Sequence, residues 1–146
     1  KADIGYAFSV SDKLAFNLQT SGGFKLGDNS TNTLDFALGG YGNNFINNIK
    51  SFYGYEFLEL SGNSFVKGLI GFDYEIFKNN HINLAANFAN IDDDIFDAGE
   101  WITSPDYSGY AIGYSIDTFF GPIEAKYSWS PETKQDIWFI NIGFWF

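Results

Sequence analysis

The sequence predicts an all-β fold: a transmembrane antiparallel β-barrel with seven to eight strands visible, forming part of a larger or dimeric barrel. Three observations predict it. Apolar and small polar residues alternate with a period of two along most of the chain, which is the period of a strand. Phe, Tyr and Trp make up 21% of the 146 residues, beside 16 Gly and only 3 Pro, a composition typical of antiparallel barrels. Residues 134–146 read as one strand closing on Phe144-Trp145-Phe146. Soluble chains usually leave their termini frayed and wet, whereas a membrane barrel turns apolar residues to lipid and sets aromatics at the interface.

The strands follow in order. In the first, Ile4, Tyr6, Phe8 and Val10 share a face, and a tight turn at Ser11-Asp12 ends it. In the second, Leu14, Phe16 and Leu18 oppose Ala15, Asn17, Gln19 and Ser21. A long connection, about 22–63, holds Gly22-Gly23 and Gly39-Gly40. The third strand sets Val66, Ile70, Phe72, Tyr74 and Ile76 against Lys67, Gly71, Asp73 and Glu75, with a turn expected at Asn79-Asn80. The fourth sets Ile82, Leu84, Ala86 and Phe88 against Asn83, Ala85, Asn87 and Ala89, before an acidic loop at about 92–107. The fifth sets Tyr110, Ile112, Tyr114 and Ile116 against Gly109, Ala111, Gly113 and Ser115, and Gly121-Pro122 is expected to turn it. The sixth sets Ile123, Ala125, Tyr127 and Trp129 against Glu124, Lys126, Ser128 and Ser130. After a turn at 130–133, the seventh sets Trp138, Ile140, Ile142, Phe144 and Phe146 against Ile137, Phe139, Asn141 and Gly143. Short and long connections alternate, as periplasmic turns and external loops do in membrane barrels. The whole of 1–146 therefore reads as one outer-membrane barrel segment with external loops at about 22–63, 92–107 and 130–133.

Composition narrows the function. Without cysteine there is neither a disulfide framework nor a thiolate metal site, and with His81 as the single histidine a multi-histidine metal site is excluded. No cofactor is expected. Eighteen acidic residues against eight basic give a net charge of −10, which argues against a nucleic-acid partner. No run of about 18 apolar residues is present, so no transmembrane helix is expected. Lys1 reads as a processed start, or as the start of the ordered part of a longer protein.

Alternation alone admits two readings, because a soluble ligand-binding barrel turns its apolar row inward. The polar row here is mostly Gly, Ala, Ser and Asn, whereas a soluble exterior is about a quarter or more charged. The apolar row is also aromatic near the strand ends, at Tyr6, Tyr74, Tyr110, Tyr127, Trp129, Trp138 and Phe144. Both features favour lipid outside and a polar lumen.

The order of two strands, a long Gly-Gly loop, five strands and a terminal Phe resembles the C-terminal part of the bacterial surface-antigen superfamily of outer-membrane barrels. Leu38-Gly39-Gly40 matches that family's hydrophobic-Gly-Gly element. Phe52-Tyr53-Gly54-Tyr55 matches the Gly-Tyr of its Arg-Gly-(Phe/Tyr) element, and Gly121-Pro122 matches the opening of its penultimate strand. The resemblance implies a loop folded into the lumen, with Gly39, Gly40, Tyr53, Gly54 and Tyr55 as its motif. Tyr53 stands where the family carries the arginine that anchors this loop in the translocases, so an insertase or secretion role is not implied. Within the superfamily the wording resembles the C-terminal barrel of Bacteroidota patatin-like phospholipases, at Tyr55-Glu56-Phe57, Ser61-Gly62-Asn63-Ser64, 105–110 and 121–132. That subgroup's Gly-x-Ser-x-Gly and Asp-Gly elements are absent, so this chain is expected not to be an enzyme. Any lipid acyl hydrolase activity would lie upstream of Lys1.

Weaker candidates complete the reading. The acidic stretch Asp92-Asp93-Asp94, Asp97, Glu100 and Asp106 lacks the spaced ligands and central glycine of a calcium loop and reads as a solvated external loop. His81 has no partner that spacing identifies. Lys67, Asp73, Glu75, Glu124 and Lys126 are expected in the lumen, as a salt-bridge network or as the lining of a watery pore; charges in such interiors are usually paired. The expected location is the bacterial outer membrane. The expected partners are outer-membrane lipid, the barrel-assembly machinery that reads the terminal strand, and either a homodimer mate or upstream strands that close the barrel. The expected role is a membrane anchor for a patatin-like protein. Two alternatives stay open: an independent eight-stranded barrel (porin or adhesin) with an extra strand around 33–38, and a soluble lipocalin-like carrier.

Overall fold

The computed structural model describes residues 1–26, 35–42 and 47–144. The period-two segments form the strands β1 (Ala2–Ser11), β2 (Leu14–Phe24), β6 (Ser64–Phe77), β7 (Asn80–Asp92), β8 (Tyr107–Thr118), β9 (Gly121–Trp129) and β10 (Asp136–Ile142). They join in one antiparallel sheet in the order β1-β2-β6-β7-β8-β9-β10, each strand bonded to the next long strand in sequence. Among the described residues the sheet does not close, and β1 and β10 are its edges.

Side-chain direction follows the sequence parity. In β8 the exposed residues Ile112, Tyr114 and Ile116 alternate with buried Ala111, Gly113 and Ser115. In β10 exposed Trp138, Ile140 and Ile142 alternate with half-buried Ile137, Phe139 and Asn141. Exposed large apolar residues therefore cover one face of a sheet whose other face carries the polar row. Such a patch far exceeds what a water-soluble monomer shows. Aromatics gather in two clusters on that face. Tyr6, Phe8, Phe16 and Phe72 form a chain across β1, β2 and β6 with centroids 5.6, 5.3 and 4.5 Å apart. Tyr110, Trp129, Tyr127 and Trp138 form another across β8, β9 and β10, at 5.8, 5.6 and 5.0 Å. An exposed face of aliphatic and aromatic side chains is what a membrane barrel turns to lipid. Among the described residues no helix is long and apolar enough to cross a membrane.

Several boundaries differ from the sequence reading. Asp12 and Lys13 make the β1–β2 turn, with Ser11 closing β1, and the terminal strand β10 covers Asp136–Ile142, shorter than the expected 134–146. Lys78 and Asn79 make the β6–β7 turn, with Asn79 at φ 63°, one residue earlier than expected; asparagine tolerates that left-handed conformation. Phe119 and Phe120 make the β8–β9 turn, and Gly121-Pro122 opens β9. The strand sought around 33–38 is β3 (Phe36–Leu38), and it does not join the wall. It pairs in parallel with β4 (Ile49–Lys50) and antiparallel with β5 (Leu60–Gly62), making a small sheet within the long connection. Residues 33 and 34 of that expectation, and Phe146 of the terminal strand, lie outside the described residues.

This small sheet holds the apolar core. Leu38, Phe52 and Phe65 are fully buried, with Tyr55, Phe36, Ala89 and Ile91 packed around them. Phe65, Ala89 and Ile91 belong to the wall, so the core is the contact between loop and wall. Each buried Leu, Ile or Phe side chain among them contributes roughly 1.5–3 kcal/mol on burial. The acidic connection folds as a single helical turn, α1 (Ile95–Ala98), and a 3₁₀ turn at Glu100–Ile102.

Candidate functional site

The loop returns across the polar face, and its tip is fastened to three wall strands. The Tyr53 N–H donates to Asn87 Oδ1 on β7 at 2.7 Å, and Asn87 Nδ2 donates back to the Tyr53 carbonyl at 3.4 Å. The Gly54 N–H donates to Ser128 Oγ on β9 at 3.2 Å. Between those strands lies β8, where Gly109 is the cross-strand neighbour of Asn87. A Cβ at Gly109 would stand 1.8 Å from the Tyr53 carbonyl oxygen. Gly54 has φ 82°, and a Cβ there would stand 2.5 Å from the Trp129 carbonyl oxygen. Glycine on both surfaces thus lets two backbones meet at hydrogen-bonding distance.

Gly39 and Gly40 serve the same tip. The Gly40 N–H donates to the Tyr55 carbonyl at 2.9 Å, and the Phe52 N–H donates to the Gly40 carbonyl at 3.0 Å. All five residues of the expected loop motif are therefore brought together, with Gly39-Gly40 crossing behind Tyr53-Gly54-Tyr55.

Tyr55 ties the tip to the last connection. Its hydroxyl lies 2.9 Å from Ser130 Oγ and donates to Glu132 Oε2 at 3.2 Å. Glu132 also accepts from Ser108 Oγ at 2.6 Å. Burial, reinforced by the negative charge of Glu132, pushes the Tyr55 phenol up to about 12. Burial opposes the charge on Glu132, but hydrogen bonds from Ser108 and Ser130 outweigh it and hold the carboxyl below its usual range.

The expected interior charges separate into local sets rather than one network. Lys126 pairs with Glu124 at 2.7 Å and lies 4.5 Å from the ring centre of Tyr41 and 5.3 Å from that of Tyr53. Tyr41 donates to Glu124, and burial followed by that carboxylate drives its phenol strongly upward. The loop tip thus packs its tyrosines around a lysine carried by the wall. Asp73 binds His81 Nδ1 at 2.6 Å and accepts from Asn83; the partner that spacing could not identify for His81 sits on the adjacent strand. Glu75 accepts from the Asn79 N–H at 2.9 Å and stabilises the turn. Lys67 donates to the Ser51 carbonyl.

Trp138, Ile140, Ile142 and Phe144 of the terminal strand lie exposed on the apolar side. Among the described residues no group of three or more His, Cys, Asp or Glu is placed to hold a metal. Sequence reasoning missed Asn87, Gly109, Ser128 and Tyr41 as contact residues. The available signal was small: an asparagine and a glycine that pair across β7 and β8, and a serine on β9 that pairs with Ala111, one position along the polar row.

These features define a class: a wall of antiparallel strands with a lipid-facing exterior and a polar interior covered by its own loop. The family described as the OMP85 superfamily matches residues 1–146, and the chain belongs to it. Neither the curated proteins nor the solved structures yield a match. Membership supports an outer-membrane β-barrel and, with it, a bacterial outer-membrane location.

Proposed function

We propose that this chain is the outer-membrane anchor of a patatin-like lipid acyl hydrolase, acting as a plugged scaffold rather than an open channel. The observation that carries the scaffold reading is the bonding of Tyr53 and Gly54 into Asn87 and Ser128 across the polar face. A loop fixed by backbone hydrogen bonds and a shared apolar core occludes the interior beneath it. The patatin assignment rests on the wording of 55–57, 105–110 and 121–132. The chemistry would reside in a domain outside this chain.

Unpaired strand edges are not tolerated in lipid, so β1 and β10 are expected to find partners. Seven strands is an odd number, and β1 and β10 therefore run in the same direction. Closure by a second copy about an axis along the barrel would join β10 of one copy to β1 of the other in parallel. Closure by an odd number of upstream strands would keep every pair antiparallel. The terminal strand is the segment offered to the assembly machinery.

The intact mass of the native protein extracted from membranes tests this reading. A mass well above 16.4 kDa, with patatin-type peptides upstream of Lys1, is the expected result. A native chain near 16.4 kDa would remove the hydrolase from the account.

A further inference from the structure

The basic residues of this acidic chain are unevenly spent. Three of its eight converge where the loop meets β1, β2 and β6. Lys1 Nζ and Lys50 Nζ each lie 3.2 Å from the carboxylate of Asp3. Two cations thus share one carboxylate. Lys67, on β6, is 5% exposed, and among the described residues no carboxylate lies within 4.0 Å of it. Its partner is the Ser51 carbonyl, next in sequence to Lys50. An ammonium carries three donors, so two remain. Burying a cation without a full counter-charge is costly; the one acid near Lys67 is Asp3, which Lys1 and Lys50 already share, so three ammoniums stand against one carboxylate.

The group opens into a concave pocket of about 270 Å³ lined by Asp3, Gln19, Ser21, Lys50, Ser51 and Lys67. Its lining carries one carboxylate, Asp3, held by Lys1 and Lys50, and the excess of ammonium charge with an amide and hydroxyls as neutral donors is the chemistry of an oxyanion receptor. A second copy closing the barrel would not neutralise it. Its β10 would bring Ile137, Phe139 and Asn141 to the polar face, none of them a carboxylate.

We propose that this pocket on the polar face binds a phosphate-type oxyanion between Lys50 and Lys67. Two sources offer that chemistry, free inorganic phosphate and the headgroup of a phospholipid. The bound oxyanion would add a bridge between the loop, through Lys50, and the wall, through Lys67.

The test uses the full native protein purified in phosphate-free detergent. Calorimetric titration with sodium phosphate, and phosphorus analysis of the purified protein, are compared for the native chain and for Lys67→Gln, Lys50→Gln and Lys78→Gln. Lys78 is the control, because it is an exposed lysine in the β6–β7 turn. Saturable phosphate binding, weakened about tenfold or more by Lys67→Gln or Lys50→Gln and unchanged by Lys78→Gln, supports the site and a free ion. Stoichiometric organic phosphorus, retained by the native chain and lost from the same two variants, supports the site and a headgroup. Should Lys67→Gln fail to fold, Lys50→Gln carries the comparison. Absence of both signals overturns the proposal, as does equal binding by native chain and Lys50→Gln.

Discussion

Gly109→Ala is the sharpest perturbation of the loop–wall contact, because it adds one methyl group at the point of closest approach. That carbon would stand 1.8 Å from the Tyr53 carbonyl oxygen and 2.6 Å from Asn87 Nδ2, well inside contact distance. Strand β8 is bonded to β7 and β9 along its length, so it is the loop that must give. If the tip lifts, the Tyr53–Asn87 and Gly54–Ser128 hydrogen bonds are lost, at about 1 kcal/mol each. If the tip stays, the overpacked contact costs about 1–3 kcal/mol. Either route predicts a loss of about 2 kcal/mol. Gly68→Ala is the matched control, since nothing lies within 4 Å of a Cβ there; its effect should stay within about 0.5 kcal/mol. Urea unfolding of the protein in lipid vesicles measures the difference, and chymotrypsin cleavage at Tyr53 and Tyr55 reports whether the tip has lifted. Equal stability of the two variants, with the tip still protected, would refute the argument that glycine at 109 admits the loop.

Further predictions follow from the same contacts. Leu84→Lys places a charge near the middle of the apolar face, where Leu84 is 47% exposed, and should cost about 2–4 kcal/mol in vesicle unfolding. Phe52→Ala empties a fully buried site between loop and wall; it should cost about 3–5 kcal/mol and expose the loop to protease. The Tyr55–Glu132 contact should weaken at both extremes of pH. Glu132 is held below its usual range, so its contribution is present above the ordinary carboxylate pKa and fades as pH falls through the depressed value. Tyr55 is raised to about 12, so its contribution is present below the ordinary tyrosine pKa and is lost as pH climbs toward 12. Protease sensitivity of the loop across pH 3 to 12, flat near neutrality and rising at both ends, would show this.

The wall was legible because its physics is local: parity in Ile112-Gly113-Tyr114-Ser115-Ile116 assigns each side chain to a face without reference to any other strand. The loop's small sheet was not legible. Its strands Phe36–Leu38, Ile49–Lys50 and Leu60–Gly62 are too short to show a period and exist only because the wall buries Leu38 and Phe52. The latch was half legible. Gly39, Gly40 and Tyr53-Gly54-Tyr55 stood out through a resemblance, but their receptors Asn87, Gly109 and Ser128 lie 34 to 74 residues away in sequence from the groups they bind and look like ordinary members of the polar row. Pairings within the row were hidden for the same reason. Asp73 and His81 meet only because β6 and β7 fold back at Lys78-Asn79.

The central claim is that one face of this sheet meets lipid and the other a polar interior. The chain has no cysteine, so single cysteines can be placed in turn at Leu84, Ala85, Ile112, Gly113, Ile140 and Asn141 in cells carrying the protein in their outer membrane. Labelling with a membrane-restricted maleimide should alternate, strong at 84, 112 and 140 and weak at 85, 113 and 141. Strong labelling of 84, 112 and 140 by a water-soluble maleimide, with none by the lipid probe, would contradict the claim.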